Sequence, residues 1–234
     1  MKTIKAHNHG AHSAPQALFI DLADIKPKQV REMYEIYECY YENTAYEIFA
    51  NDLGNKSGAI MLFHPVTNKV VGFSTMVLHQ FEFGRKNYTF LFSGDTVVMR
   101  EFWGNRALQA TFVKLVMKLR FRYPFDELYW LLISKGYKTY LLMANNYYVY
   151  YPHFEGKYKS LEPVLRHYLN TFFADYYDQK TGLLNFGEDY QALKGEVAPI
   201  TDEMRKNSPK IHFFEEKNPT WQQGTELPCI GYLG

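Results

Sequence analysis

The sequence has little cysteine and little net charge. Its 234 residues include two cysteines, Cys39 and Cys229, which are too few and too far apart for a disulfide framework or a cysteine-based metal site. We therefore expect a reducing compartment, the cytoplasm. The formal net charge of +1 creates no overall field that would attract nucleic acid or an anionic membrane, so neither is an expected partner.

Long apolar runs and several catalytic motifs are also missing. No stretch approaches the roughly 20 residues of a membrane-spanning helix, so no membrane span is expected. Met1–Gln16 is polar, lacks the apolar run of a signal peptide and is expected to be a flexible segment. The chain contains no Gly-x-Ser-x-Gly and no Gly-Lys-Ser/Thr sequence, which excludes the common serine hydrolases and P-loop nucleotide hydrolases.

Aromatic residues, in contrast, are abundant: they make up 18% of the chain, with 20 Tyr and 18 Phe. Because a buried Tyr needs a partner for its hydroxyl, so many amphipathic rings predict either broad contact surfaces and a roomy pocket or simply a tyrosine-rich surface. The hydrophobic and charged fractions, 47% and 22%, are those of a folded protein. The length favours one domain with an elaboration.

The central part of the chain changes from strand patterns to helix patterns. Runs of β-branched and aromatic residues joined by short turns predict three consecutive antiparallel strands. Apolar residues at helical spacing then predict a helix, followed by a short apolar strand and a second helix in a right-handed crossover. The predicted elements are a helix from Pro27 to about Tyr41, a helical piece at 44–51, strands at 59–64, 70–81, 88–99 and 127–134, and helices at about 108–122 and 137–146.

Residues 158–234 follow a less regular pattern. Apolar spacing predicts a helix over about Leu161–Tyr177, and 178–198 has an irregular composition. A helical turn is predicted at 201–207, with late strands at Ile211–Phe214 and Leu227–Leu233.

The order of the central elements resembles that of the GNAT superfamily of N-acetyltransferases. Asn68–Phe73 (Asn-Lys-Val-Val-Gly-Phe) looks like the hairpin that enters the family's third strand. Thr96–Met99 looks like the end of its fourth strand, and Glu101–Leu108 like its pyrophosphate loop. The resemblance covers roughly Pro27–Pro152.

This resemblance implies an α/β fold with a GNAT-like mixed sheet flanked by helices. The first half of the sheet is expected to be antiparallel, and the fourth and fifth strands are expected to be parallel and splayed. The implied organisation is a core at 17–157 and a C-terminal extension at 158–234 that packs on it.

The turn Trp103–Ala107 is the predicted donor site. Gly104 lets the backbone approach a ligand, and Asn105 is a good N-cap for the following helix, whose first turn exposes unpaired N–H groups. The resemblance implies that these groups hold the phosphates of an acyl-CoA or another acyl-phosphopantetheine thioester. The match departs from the family at Arg106, where a second Gly or Ala is expected. The predicted donor-binding residues are Val98, Met99, Arg100, Trp103, Gly104, Asn105, Arg106 and Ala107.

Basic residues are concentrated around this turn. Residues 100–122 contain six Lys and Arg and one acid, Glu101, so their net charge is +5 in a chain of +1. This pattern is typical either of a solvated helix face or of a surface that docks an anionic donor. Some GNAT-like enzymes with longer acyl donors, among them acyl-homoserine-lactone synthases and N-acyl amino acid synthases, use acyl carrier protein. Coenzyme A and acyl carrier protein both remain expected donors, with a small-molecule amine as the acceptor.

Acyl transfer to an amine needs a base that removes a proton and a donor to the oxyanion. Asp95, beside Gly94 in the predicted fourth strand, is the candidate base because a buried charge is costly and often functional. A solvent-facing position at a bulge made by Gly94 is an equal alternative, and Glu127 is a fallback. The histidines match no metal-ligand motif, so no metal is expected.

The resemblance also implies a tyrosine that protonates the leaving thiolate. Tyr140 is the first choice, in competition with other tyrosines of the same region. Ser134 ends the predicted fifth strand, where it either contacts cofactor or substrate or caps the next helix. The competing tyrosines are Tyr137, Tyr147 and Tyr148. The competing function is a GNAT-like module that has lost catalysis and serves in binding.

Overall fold

The structure, a computed structural model, describes residues 14–187 and 199–234, together with the backbone of 192–193. Most of the expected flexible segment Met1–Gln16, including its three histidines, lies outside the described residues, as does part of the expected irregular region at 178–198. No helix in the described ranges is long and apolar enough to cross a membrane.

The described part of the chain contains a sheet of seven strands. Its strands are β1 (Gln16–Asp21), β2 (Gly58–Phe63), β3 (Val70–Phe83), β4 (Lys86–Val98), β5 (Glu127–Ser134), β6 (Tyr150–Tyr151) and β7 (Leu227–Tyr232). They lie in the order β1-β2-β3-β4-β5-β7-β6. Neighbours pair antiparallel except β4 and β5, which are parallel. The predicted mixed α/β sheet of the GNAT-like type is thus confirmed.

Helices cover both faces of the sheet. They are α1 (Pro27–Tyr40), α2 (Tyr46–Gly54), α3 (Ala107–Arg122), α4 (Tyr137–Asn146), α5 (Glu162–Phe172), α6 (Asp202–Asn207) and α7 (Pro209–Lys217). On one face, α1 and α2 pack around Phe73 and Met61, and α5 packs around Phe90 and Leu131. On the other face, α3 packs on the first half of the sheet, while α4 and α7 pack around Trp130.

One sequence prediction about the elements is corrected, and one strand is added to those predicted. Ile211–Phe214 was expected as a strand but lies in α7, because Ser208 accepts a hydrogen bond from Ile211 N and Pro209 occupies the first helical turn. Ile211 and Phe214, three residues apart, are the buried members of that helix. β1 was not predicted at all, although it pairs with the whole length of β2.

β7 joins the C-terminal segment to the sheet, between β5 and the edge strand β6. It pairs antiparallel with β5 over Leu227–Tyr232 and with the two residues of β6. The backbone of Glu226, just before β7, exchanges two hydrogen bonds with Leu184, both 2.9 Å long. The residue that precedes β7 is therefore held at the end of β5, where the helix α4 also begins.

Candidate active site

A β-bulge interrupts β4 at the place where it separates from β5. The pairing of β3 with β4 shifts between Ser74–Thr96 and Met76–Ser93, so that Gly94 and Asp95 together oppose Thr75. A Cβ atom on Gly94 would lie 2.5 Å from Thr75 Oγ1, which explains the glycine. The parallel pairing with β5 ends two residues before the bulge, at Phe92 and Leu131.

Beyond that point, one edge of β4 is open. Met99 donates its N–H to Val71 O at 2.9 Å, so the backbone groups of Thr96 and Val98 point away from β3, toward the side that β5 has left. Within the described residues, Val98 O accepts a hydrogen bond of 2.8 Å from Trp103 Nε1. An extended ligand with amide groups could pair with this edge as an added strand.

The predicted donor turn connects this edge to α3. A short 3-10 helix at Arg100–Phe102 is followed by Gly104, whose φ of +83° is a conformation that favours glycine. The N-cap of α3 is Arg106 and not Asn105 as predicted. The Arg106 carbonyl accepts the first bond of the helix, from Ala110 N at 2.9 Å. Asn105 still contributes to capping, because its Oδ1 accepts the Ala107 N–H at 2.8 Å.

The turn presents positive charge next to the helix start. Arg106 is exposed, and the Arg100 guanidinium lies over the Trp103 ring, 5.7 Å from its centroid. The backbone N–H groups of Leu108 and Gln109 lie in the first turn of the helix, where N–H groups have no carbonyl acceptor within the helix. Two arginines and these amides can bind a phosphate group. All eight predicted donor-binding residues therefore lie on one continuous segment at the end of β4.

A cleft of about 650 Å³ adjoins the turn. It lies between α1, the turn that joins β2 to β3, and the segment that follows β4. Its lining includes two carboxyl groups of α1, Glu32 and Glu35, and the basic side chains of Lys69 and Arg100. The cleft therefore offers groups of both signs beside the donor turn.

Asp95 in the bulge is half-buried, so it does not face bulk solvent freely. Burial raises its pKa from 3.8 to about 6; the nearby charge of Lys56 lowers this pKa, and that of Asp52 raises it. Lys56 and Asp52, at the end of α2, form an ion pair of 2.9 Å. A carboxylate with this pKa is a competent base near neutral pH.

Glu226 is a second carboxyl group in the same region, and sequence reasoning did not identify it. Its pKa is raised from 4.5 to about 7, mainly by burial; the charge of Lys135 lowers this pKa, and that of Asp95 raises it. The two acids come from β4 and from the segment before β7, and each has a lysine within electrostatic reach. The signal in the sequence is a single acid directly before an apolar strand, which is too common to identify a site.

Two predicted catalytic residues lie inside the core instead. Tyr140 is fully buried, and its hydroxyl donates to Pro152 O at 3.1 Å. Ser134 is also fully buried, with its hydroxyl 3.9 Å from the Cys229 thiol. Both groups project to the α4 face among packed side chains. Neither meets the open edge of β4, so the structure does not bring them together with Asp95.

The remaining candidates are dispersed. Glu127 is at the opposite end of β5 from the bulge, where it forms an ion pair of 2.6 Å with Lys86. Tyr147 packs on Trp130 with 5.2 Å between the ring centroids, and burial raises its pKa to about 12. Trp130 Nε1 donates to Ser93 Oγ at 2.8 Å, which links β5 to β4 at the start of the gap. Tyr137 is buried, and Tyr148 is exposed.

Metal chemistry has no candidate among the residues that the structure describes. No group of three or more His, Cys, Asp and Glu side chains there could hold a metal ion.

No family model and no curated protein matches the sequence. Solved structures match part of the chain. A conserved Enterococcus faecalis V583 protein, described as of unknown function and a probable N-acyltransferase, shares 14% identity over 56% of this chain and 31% of its own, with a TM-score of 0.42. Arabidopsis thaliana NAA60, in complex with a bisubstrate analogue, shares 14% over 50% and 75%, with a TM-score of 0.37.

A third match is an aminoglycoside acetyltransferase from an uncultured soil metagenomic sample, in complex with sisomicin. It shares 16% identity over 50% of this chain and 76% of its own, with a TM-score of 0.34. This chain spans less than a third of the Enterococcus protein, since the match covers 31% of that chain. With TM-scores below 0.5, the three similarities carry no argument about the site, whose chemistry rests on its own geometry.

Proposed function

We propose that the protein is an N-acyltransferase of the GNAT type that works in the cytoplasm. It moves an acyl group from a coenzyme A or carrier-protein thioester to an amine. The observation that carries this proposal is the open edge of β4. The parallel pairing with β5 ends just before the bulge, and the bulge carries a carboxyl group of raised pKa. An open strand edge and a cationic helix start follow it along the chain.

The donor lies along this edge. Its phosphates contact Arg100, Arg106 and the first amides of α3, and its extended arm pairs with the backbone of Thr96 and Val98. Binding of the arm exchanges the indole N–H of Trp103 for an amide N–H at Val98 O. The thioester then lies near the bulge, beside Asp95.

The two carboxyl groups act on the acceptor. Asp95 or Glu226, in its ionised form, takes a proton from the acceptor ammonium group, and the neutral nitrogen attacks the thioester carbonyl. The C–N bond forms, and an outward-pointing backbone N–H of β4 stabilises the oxyanion. The C–S bond then breaks, the second nitrogen proton passes to a carboxylate or to water, and the thiolate leaves and is protonated. The products are an amide and a free thiol.

Calorimetry with acetyl-, medium-chain and long-chain acyl thioesters, both CoA-linked and carrier-linked, tests donor binding. Arg106→Ala should weaken binding about tenfold, since a charged hydrogen bond contributes about 1.5 kcal/mol. Release of free thiol in the presence of a panel of amines tests transfer, which should be lost when Asp95→Asn is combined with Glu226→Gln. If none of these donors gives a heat of binding, the proposal is wrong.

A binding module without catalysis is the second candidate. Two observations favour it: Trp103 already occupies the Val98 carbonyl, and Arg106 stands where the GNAT loop has a small residue. The two candidates give different results. A catalytically inactive module binds the thioester and releases no thiol with any amine, whereas the enzyme releases thiol with at least one of them.

A further inference from the structure

Helix α3 exposes an apolar ridge to solvent on the side opposite its core contacts. Its buried side chains include Leu115 and Leu119. On the outer side, Val113, Met117 and Phe121 follow one another at intervals of four residues, with 55%, 55% and 82% of their surface exposed. Phe125, in the turn just after the helix, is 94% exposed. A contiguous row of this kind is typical of an interaction surface, whereas isolated exposed apolar residues are not.

A row of cations runs along one side of this apolar ridge. Lys114, Lys118 and Arg122 each follow a ridge residue by one position and are exposed. α3 itself contains no Asp or Glu, and in the described ranges no carboxylate forms an ion pair with these three side chains. Arg120 differs, because it donates hydrogen bonds to the carbonyls of Tyr123 and Asp126.

We propose that this face of α3 docks an acidic carrier protein that bears the acyl donor. The inference rests on the proposed function and names the partner for the same site. The apolar ridge requires a partner with an exposed apolar row, and the unpaired cations on one side require carboxylates along one edge of that row. A second copy of this chain does not supply them from α3, which has none.

The position of the ridge agrees with this partner. α3 begins at the donor turn and rises about 1.5 Å per residue, so Val113 and Phe121 lie about 9 and 21 Å from Ala107. A carrier seated there holds its prosthetic arm beside the phosphate site. The row of cations lies on one side of the ridge, which matches the acidic edge of a partner helix. A bilayer would meet both sides of the ridge equally, so it fits this pattern less well.

The test compares one acyl group on two donors: acyl-CoA, and the acyl carrier protein loaded with the same acyl phosphopantetheine. Lys118→Glu and Phe121→Ser should each raise KM for the carrier-linked donor at least tenfold and leave KM for acyl-CoA within twofold. Lys206→Glu and Ile48→Ser make matched changes at exposed positions on other elements, and they should alter neither KM.

Direct binding separates this proposal from the proposed function. Calorimetry with the holo carrier protein, which carries no acyl group, should show binding that weakens with salt and is lost in Lys118→Glu, whether or not any transfer occurs. Three results would overturn the docking proposal: equal effects on both donors, sedimentation with phosphatidylserine vesicles that Phe121→Ser abolishes while the carrier does not bind, or a dimer that the same substitution dissociates. Turnover of acyl-CoA with any of these results leaves the acyltransferase proposal intact.

Discussion

Replacing Asp95 by Asn should make the protein more stable at neutral pH. Burial in the bulge raises the pKa of Asp95 from 3.8 to about 6, so the folded protein holds this proton at pH values where the unfolded chain has lost it. A shift of about two units corresponds to about 3 kcal/mol of unfolding free energy. Asn has nearly the same shape as the protonated acid and never ionises, so the variant avoids this reduction of the unfolding free energy.

The sign and the pH window follow from the raised pKa. The carboxyl group imposes no penalty on the folded wild type below pH 3.8, and the penalty grows until the pH exceeds about 6. The advantage of Asp95→Asn should therefore be larger at pH 7.5 than at pH 5, by about 1.5 kcal/mol. Urea unfolding followed by tryptophan fluorescence at both pH values measures this difference.

Asp178→Asn is a control of opposite sign. The Lys180 N–H and the Thr181 hydroxyl donate to the Asp178 carboxylate at 2.8 and 3.0 Å, and these bonds lower the pKa of that group. Removing its charge should therefore reduce stability at neutral pH. If Asp95→Asn is no more stable than the wild type at pH 7.5, or if its advantage is the same at pH 5, the account of Asp95 as a desolvated base is refuted.

Three further substitutions test the site. Gly94→Ala should lower the free energy of unfolding by about 2 kcal/mol, because the added methyl group would meet Thr75 Oγ1. In the Thr75→Ala background, the same substitution should cost much less, which a double-mutant cycle of urea unfolding measures. Trp103→Phe removes the bond to Val98 O, so calorimetry should show acyl thioesters binding about fivefold more tightly; weaker binding would mean that the indole holds the donor. Tyr140→Phe should cost about 1 kcal/mol of stability and leave thiol release within twofold, because its hydroxyl is bonded inside the core; a hundredfold loss of turnover would restore this tyrosine as the acid.

Much of the fold is predictable because its elements carry local signals. The prediction of β5 has both ends correct, since a six-residue apolar run, 128–133, lies between Pro124 and Gly136. α7 shows the limit of this reasoning. Ile211–Phe214 is short and largely apolar and so resembles a strand, whereas the signals for a helix, Ser208 and Pro209, lie before the run.

The candidate site was only partly predictable, for a different reason. The donor turn is one continuous segment, so its residues could be selected from sequence together. Tyr140 and Ser134 were selected by position along the chain, but the side of the strand or helix that faces the core depends on packing. Glu226 is 131 positions from Asp95 by their numbers, and only the insertion of β7 beside β5 brings it within electrostatic reach.

The bulge connects these observations into one arrangement. A β4 without a bulge would continue to pair with β5, and this pairing would cover the backbone of Thr96 and Val98. Its side chains would also alternate regularly between the two faces of the sheet. The extra residue at Gly94–Asp95 instead stops the pairing and places a carboxyl group in a half-buried position beside the opening. The buried Thr75 hydroxyl, which has no hydrogen-bond partner in the described residues, lies against the same bulge. The chain thus maintains a desolvated charge and an unsatisfied hydroxyl at one point of its sheet. Because such costs are typical of functional sites, we propose the open end of β4, rather than the core tyrosines, as the site of acyl transfer.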